Sequence, residues 1–165
     1  MSEPATTRRR LLLATPLLGL AGCGFELKRE AALQFESIAL IGFAPRSPLA
    51  TELRTALERS ITVMDSPAQA QVVLQALSDE RTRRVVVFTA SGEVRDIQLR
   101  MRLKYRAQTP SQRELIPDAE ILQIRELTFI ESKTLGKQQE EQDLFREMQS
   151  DTVRQVMLRL STLRL

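Results

Sequence analysis

Histidine is absent from the 165-residue sequence, which also contains one cysteine, one tyrosine and no tryptophan. The lack of histidine excludes His-based general acid–base catalysis, Ser-His-Asp and Cys-His nucleophile systems, and metal sites built on imidazole. A single cysteine excludes a disulfide within the chain. The sequence has no glycine-rich phosphate-binding loop either. The composition therefore predicts a domain without an enzyme active site, a metal site or a cofactor.

Carboxylate pairs are the remaining candidates for catalysis, because two such groups can divide the acid and base roles. The most evident pair, Glu140 and Glu141, lies in the strongly polar segment LGKQQEEQD. Charge runs of this kind are typical of a solvated helix start. A hydrolase that uses carboxylates alone stays open as an alternative, but no convergent pair supports it.

The first 22 residues have the order of an export signal. Three arginines, Arg8 to Arg10, precede a stretch from Leu11 to Ala21 that carries no charge. A membrane-spanning helix needs about 20 apolar residues, whereas this stretch has the length of a signal-peptide core. Both the Sec and the twin-arginine export routes are compatible with this N-terminus.

The four residues LAGC, which end at Cys23, resemble a bacterial lipobox, where the signal is cut before the cysteine and the cysteine receives lipid. This predicts removal of residues 1–22 and a single lipid-anchored domain over residues 23–165. Loss of the signal's arginines brings the formal charge from +3 close to neutral, so the basic pI indicates no nucleic-acid partner. Gly24 after the cysteine, rather than Asp, resembles lipoproteins sorted to the outer membrane.

Apolar patterns then predict a strand, a helix and a long strand. The run from Ser37 to Phe43 is apolar and too short for a helix, which favours a buried strand. Ser47 and Pro48 suit the N-cap and first position of a helix that ends near Ser60. Alternation predicts a strand over residues 72–89. Its predicted core residues share one parity and are Val72, Leu74, Ala76, Val86 and Phe88.

The segment EVRDIQLRMRLKYRA shows the most regular alternation in the chain. Apolar side chains from Ile97 to Tyr105 occupy one parity and mostly basic side chains occupy the other. A strand here would therefore bury one face and present cations on the other. Gly92, just before the segment, suits a hairpin turn. We name the cations the basic stripe: Arg100, Arg102, Lys104 and Arg106.

A further strand and a final helix complete the prediction. After the polar break QTPSQRELIPD, the strand is predicted from Glu120 to Glu131, and LGKQQEEQD then leads into a helix with apolar spacings of three and four from Phe145 to Leu163. The order strand-helix-strand-strand-strand-helix predicts an α+β fold with two helices packed on one face of a mostly antiparallel four-stranded sheet. The basic stripe would lie on the uncovered face.

Two segments resemble the LPS-assembly lipoprotein family LptE (RlpB-like). The start CGFELKR, residues 23–29, is similar to the family's Cys-Gly-aromatic opening, and EEQDLFREMQSDTVRQVMLRL, residues 140–160, is similar to its terminal helix. The order of elements between them also fits. The resemblance implies an outer-membrane lipoprotein on the periplasmic side, held by lipid at Cys23. Its implied partners are an LptD-type β-barrel, which it plugs and helps to assemble, and the lipopolysaccharide that it helps deliver to the cell surface.

The basic stripe keeps three interpretations open. Arginine and lysine pair with phosphates, which lipopolysaccharide carries in number. The stripe could instead contact the polar lumen of the barrel, or form a solvated sheet face. Lys137, in the predicted loop before the final helix, resembles a basic position of the family and is a further candidate for lipopolysaccharide or barrel contact. A periplasm-facing lipoprotein adaptor or small-ligand-binding module, unrelated to lipopolysaccharide export, is the alternative function.

Overall fold

The computed structural model describes residues 32–88, 92, 94–128 and 134–165. The predicted export signal, the predicted lipid attachment at Cys23 and the predicted strand end at Glu131 lie outside these ranges. The elements follow in the order β1 (Ser37–Ile41), α1 (Pro48–Glu58), β2 (Thr62–Met64), a 3₁₀ turn (Pro67–Gln69), β3 (Val72–Phe88), β4 (Val94–Gln108), β5 (Glu114–Thr128) and α2 (Thr134–Ser161). Neither helix of the described ranges is both long and apolar enough to cross a membrane.

The strands of the described ranges form one mixed sheet of five, in the order β2-β1-β3-β4-β5. β1 pairs in parallel with β2 and β3, whereas β3, β4 and β5 are antiparallel. The α+β class and the two helices are confirmed, but the sheet has five strands rather than the predicted four, and it is mixed, with antiparallel pairing among its three long strands. β2 has three residues, too few to show an alternating pattern, and α1 supplies the crossover that its parallel pairing requires.

The hydrophobic core lies between the two helices and one face of the sheet, and it consists of a larger and a smaller cluster of buried side chains. β4 contributes every second residue from Ile97 to Ala107, which confirms its predicted apolar parity. α1 contributes three leucines spaced four apart: Leu49, Leu53 and Leu57. α2 contributes Met148, Val153, Val156 and Leu160. Full burial of such a side chain stabilises the fold by about 1.5–3 kcal/mol, so this face fixes how the helices sit on the sheet.

β3 reverses its parity at a β-bulge. The register shifts between Ala76 and Ser78, which leaves Leu77 as an extra residue. N-terminal to the bulge, the predicted core residues are buried: Val72, Leu74 and Ala76. C-terminal to it the opposite parity faces the helices, and Val86, predicted as core, is 49% exposed. The prediction for the Phe88 side chain lies outside the described part of the chain.

Two predicted boundaries are also corrected. β5 begins at Glu114 rather than Glu120, because Pro117, which suggested a break, lies at a register shift on an edge strand, where a missing N–H is tolerated. α2 begins at Thr134, so the polar segment LGKQQEEQD is itself helical. Lys137 therefore lies in the helix and not in a preceding loop.

The start of α1 is held by the predicted cap. The Ser47 hydroxyl accepts a hydrogen bond from the Ala50 backbone N–H at 3.1 Å, and Pro48 occupies the first turn. The same hydroxyl donates to the Asp79 carboxylate at 2.5 Å. Asp79 reaches the helix because the bulge on β3 turns its parity toward α1. One serine thus fixes both the helix start and its contact with the long strand.

Candidate functional site

The basic stripe lies on the sheet face opposite α1 and α2, which we name the outer face. Its side chains alternate along β4 with the buried apolar residues, as predicted. The side chains of Arg102 and Lys104 remain 38% and 47% exposed. Residues two apart on a strand are spaced by roughly 6.5–7 Å, so the four cations form a continuous row.

Two carboxylates from β5 pair with three of the four cations in this row. Glu120 lies 3.3 Å from Arg102 and 3.6 Å from Lys104, and Asp118 lies 4.0 Å from Arg106. Exposed ion pairs of this kind contribute about 0–1 kcal/mol each. They therefore serve mainly to orient the cations, and they make this part of the outer face a surface of mixed charge.

Arg100 has different surroundings from the rest of the stripe. It forms no ion pair with a carboxylate of the described ranges, and its Nε is buried without a hydrogen-bond partner there. Thr82 lies opposite it on β3, and Ile124 lies opposite it on β5. Arg84 is its diagonal neighbour on β3. A depression opens at this place, lined by Glu80, Thr82, Arg84, Arg100, Arg102 and Leu122.

The β3 arginines that face α2 are engaged within the fold. Arg81 donates to the side-chain oxygen of the buried Gln149, and its guanidinium lies 5.8 Å from the centroid of the Phe145 ring. Arg83 pairs with Glu141 at 3.2 Å. These cations fasten α2 to the sheet and do not join the basic stripe.

Lys137 and the acidic pair lie on α2, on the other side of the sheet from the basic stripe. The Lys137 ammonium is 2.7 Å from the Glu140 carboxylate and its side chain is only 17% exposed. Glu141 pairs instead with Arg83, so the two adjacent carboxylates serve different cations. The structure thus keeps Lys137 apart from the stripe. Among the described residues, no group of three or more acidic, His or Cys side chains could hold a metal ion.

Tyr105 lies beneath the stripe, on the buried parity of β4. Its side chain is fully buried, and no hydrogen bond of good geometry reaches its hydroxyl from the described residues, although the Arg159 guanidinium is close enough to interact with it. Burial raises the pKa of Tyr105 above its ordinary value of 10.0, and the nearby Arg159 guanidinium opposes that rise. This group is a core residue with an unsatisfied polar atom rather than a member of a reactive site.

The sequence prediction does not include the residues that decide which cations of the basic stripe are paired. They are the β5 carboxylates, Asp118 and Glu120, and the additional cation Arg84. Counting outward from the turn at Gly92 indicates which β3 residues lie beside β4. Two register shifts between the turn and Thr82 displace that count, so the pairing of Arg100 with Thr82 emerges only from the structure.

Comparison with known proteins agrees with this fold. The family model described as "LptE: Lipopolysaccharide-assembly" matches residues 35–160. The solution structure of uncharacterized lipoprotein B from Nitrosomonas europaea is 26% identical, with a TM-score of 0.69, over 81% of this chain and 88% of that one. No protein of curated function matches the sequence significantly.

Two crystal structures share the fold at lower identity. The minor lipoprotein from Acinetobacter baumannii is 18% identical with a TM-score of 0.64, over 79% of this chain and 96% of that one. The rare lipoprotein B from Shewanella oneidensis is 19% identical with a TM-score of 0.59, over 74% of this chain and 94% of that one. At these identities the likeness concerns the fold alone.

Proposed function

The chain belongs to the LptE lipopolysaccharide-assembly family, and from this premise we propose that it plugs and helps to assemble an LptD-type β-barrel and assists lipopolysaccharide transport to the cell surface. The family match carries this proposal, because it extends over residues 35–160 and so includes all five described strands. We place the protein at the periplasmic side of the outer membrane, anchored by lipid on Cys23.

The outer face has the chemistry that a plug needs. The lumen of an outer-membrane barrel is polar, so a protein enclosed by it must present polar groups of both signs. The row formed by Arg102, Lys104 and Arg106 with the carboxylates of β5 is such a surface. Arg100, which has no carboxylate partner within the described ranges, is the stripe cation best placed to contact a phosphate of lipopolysaccharide. Lys137 is kept as a separate candidate for either contact, because it lies on α2.

Copurification tests the proposed partner. A tagged, full-length protein extracted from outer membranes in mild detergent should carry an LptD-type barrel in stoichiometric amount, because enclosure stabilises the folded plug. Recovery of the protein alone, with barrel absent from the eluate, would favour the adaptor alternative.

Charge reversal separates the two contacts proposed for the stripe. Arg100→Glu combined with Arg102→Glu leaves the core parity untouched, so folding should survive. Reduced binding of purified lipopolysaccharide with an intact barrel complex would indicate phosphate contact, whereas the opposite pattern would indicate lumen contact. The matched control is Arg146→Glu with Arg154→Glu, which reverses two arginines on α2 with side chains 68% and 71% exposed. If neither contact changes, the stripe is a solvated face.

A further inference from the structure

The depression on the outer face has an excess of positive charge. Three of its six lining residues are arginines, and Glu80 supplies the one carboxylate among them. Glu80 accepts a hydrogen bond from the Ser78 hydroxyl at 2.8 Å, at the end of the depression that is nearest Arg102. Arg84 and Arg100 occupy the other end and have no carboxylate partner within the described ranges.

The Nε of Arg100 is a hydrogen-bond donor for which the described residues supply no acceptor. This atom is buried and unbonded, and a buried donor without a partner is unfavourable. Guanidinium groups bind phosphate oxygens through two parallel hydrogen bonds, and a neighbouring hydroxyl can donate a third. Thr82 places its hydroxyl on the strand directly opposite Arg100, and Arg84 is two residues further along the same strand.

The apolar border of the depression indicates what carries the phosphate. Leu122 lines it and is 42% exposed, and the adjacent Ile124 on the same face is also exposed. Large apolar side chains beside unpaired cations suit an amphiphilic anion better than a fully hydrated inorganic one. Arg100 on β4 lies directly opposite Ile124 on β5, so the outer face offers cationic and apolar contacts side by side.

We propose that Arg84, Arg100 and Thr82 form an anion site that binds a phosphate group of lipopolysaccharide. The choice of lipopolysaccharide as the source of that phosphate rests on the proposed function. The carboxylate-paired cations Lys104 and Arg106 lie outside this site. The basic stripe is therefore divided: one end binds ligand phosphate, and the other end is already neutralised by β5.

Binding by paired variants tests the site. The full-length protein in nonionic detergent is titrated with purified lipopolysaccharide, with phosphatidylglycerol in the same detergent, and with inorganic phosphate. Arg84→Gln combined with Arg100→Gln should weaken lipopolysaccharide binding about tenfold or more, since it removes charge-assisted, bidentate contacts. The loss should shrink as salt rises, because exposed charges are screened beyond about 10 Å at 0.1 M. Phosphatidylglycerol and inorganic phosphate should bind more weakly than lipopolysaccharide.

Two further variants keep the result interpretable. Arg84→Gln alone changes an exposed side chain, so a binding loss there cannot reflect unfolding. Arg146→Gln with Arg154→Gln removes the same number of exposed cations from α2 and should change affinity by less than about twofold.

Three results would overturn the site. They are unchanged affinity in the Arg84→Gln and Arg100→Gln double variant, an equal loss in Lys104→Gln with Arg106→Gln, and equal binding of phosphatidylglycerol or inorganic phosphate. An equal loss in the Lys104 and Arg106 variant would mean that binding depends on the positive charge of the whole outer face. Equal binding of the other anions would mean a general anion site. Failure of the proposed function would appear differently, as wild-type protein that carries no barrel from detergent extracts.

Discussion

Replacing Tyr105 by phenylalanine should raise the free energy of unfolding by about 1 kcal/mol near neutral pH. The hydroxyl is buried, and Arg159 lies near it without a hydrogen bond of good geometry; an unsatisfied buried polar group costs about 1–3 kcal/mol. The void left by one oxygen costs a few tenths of a kcal/mol, at about 24 cal/mol per Å³. The aromatic ring and its packing against the core stay in place. The gain from removing the buried hydroxyl should therefore exceed the cost of the void.

The same substitution should change the pH dependence of stability. Burial holds the pKa of Tyr105 above 10.0 in the folded protein, so the unfolded chain loses its tyrosine proton first. The stability that depends on the protonated Tyr105 hydroxyl is fully present below pH 10.0, and it is lost as the pH rises through the pKa of the folded protein. Tyr105→Phe should remove this loss. Arg159→Gln should raise the pKa of Tyr105 further, because the guanidinium opposes the effect of burial.

The chain's composition makes the assay direct. Tyr105 is the only tyrosine in a sequence without tryptophan, so tyrosinate absorbance during a pH titration reports this one group. Urea unfolding, followed by circular dichroism near neutral pH and above pH 10, gives the free energies. Destabilisation by more than about 1 kcal/mol in Tyr105→Phe, or titration of the folded protein at the ordinary pKa, would refute the argument that the hydroxyl is unsatisfied.

Substitutions at three other positions test separate parts of the account. Gly42→Ala should destabilise the fold by at least about 2 kcal/mol in thermal or urea unfolding, because φ is +77° and the new Cβ would lie 2.2 Å from the Ala76 carbonyl oxygen; a loss below about 0.5 kcal/mol would contradict this. Ser47→Ala should cost about 1–2 kcal/mol through loss of the helix cap and of the bond to Asp79, and Ser47→Thr should recover most of it. Cys23→Ala should abolish labelling with fatty acid and accumulate as uncleaved precursor, and persistent labelling would remove the lipobox argument.

The alternation of apolar and polar residues correctly predicted the strand whose two faces differ in polarity along its whole length. On β4 every second residue from Ile97 to Ala107 is buried, and the intervening side chains are polar, so one strand sufficed to indicate the face of the basic stripe. The helix start at Ser47 and Pro48 was also predicted correctly, because capping depends on residues that are neighbours in the sequence. In these segments the short-range pattern and the tertiary structure agree.

Features that depend on distant partners could not be predicted in this way. The bulge at Leu77 reverses the parity of β3, and no residue type at that position requires it. β2 exists because β1 offers it a parallel edge, and Pro117 stays in β5 because that strand lies at the edge of the sheet.

The same limit applies to the candidate site. The alternation located the stripe, but it did not show that Glu120 neutralises Arg102 or that Arg100 remains unpaired, because those relations follow from register across three strands. The sequence predicts Lys137 in a loop because the polar segment LGKQQEEQD is interpreted as leading into the final helix. Its pairing with Glu140 at a spacing of three is instead typical of neighbouring residues on one face of a helix.

Conditional depletion of the protein in its own bacterium tests the central claim most directly. If the chain is a lipopolysaccharide-assembly plug, depletion should lower the amount of correctly folded LptD-type barrel and of lipopolysaccharide at the cell surface. Wild-type protein supplied in trans should restore both quantities. Unchanged levels of folded barrel and of surface lipopolysaccharide after complete depletion would contradict the account.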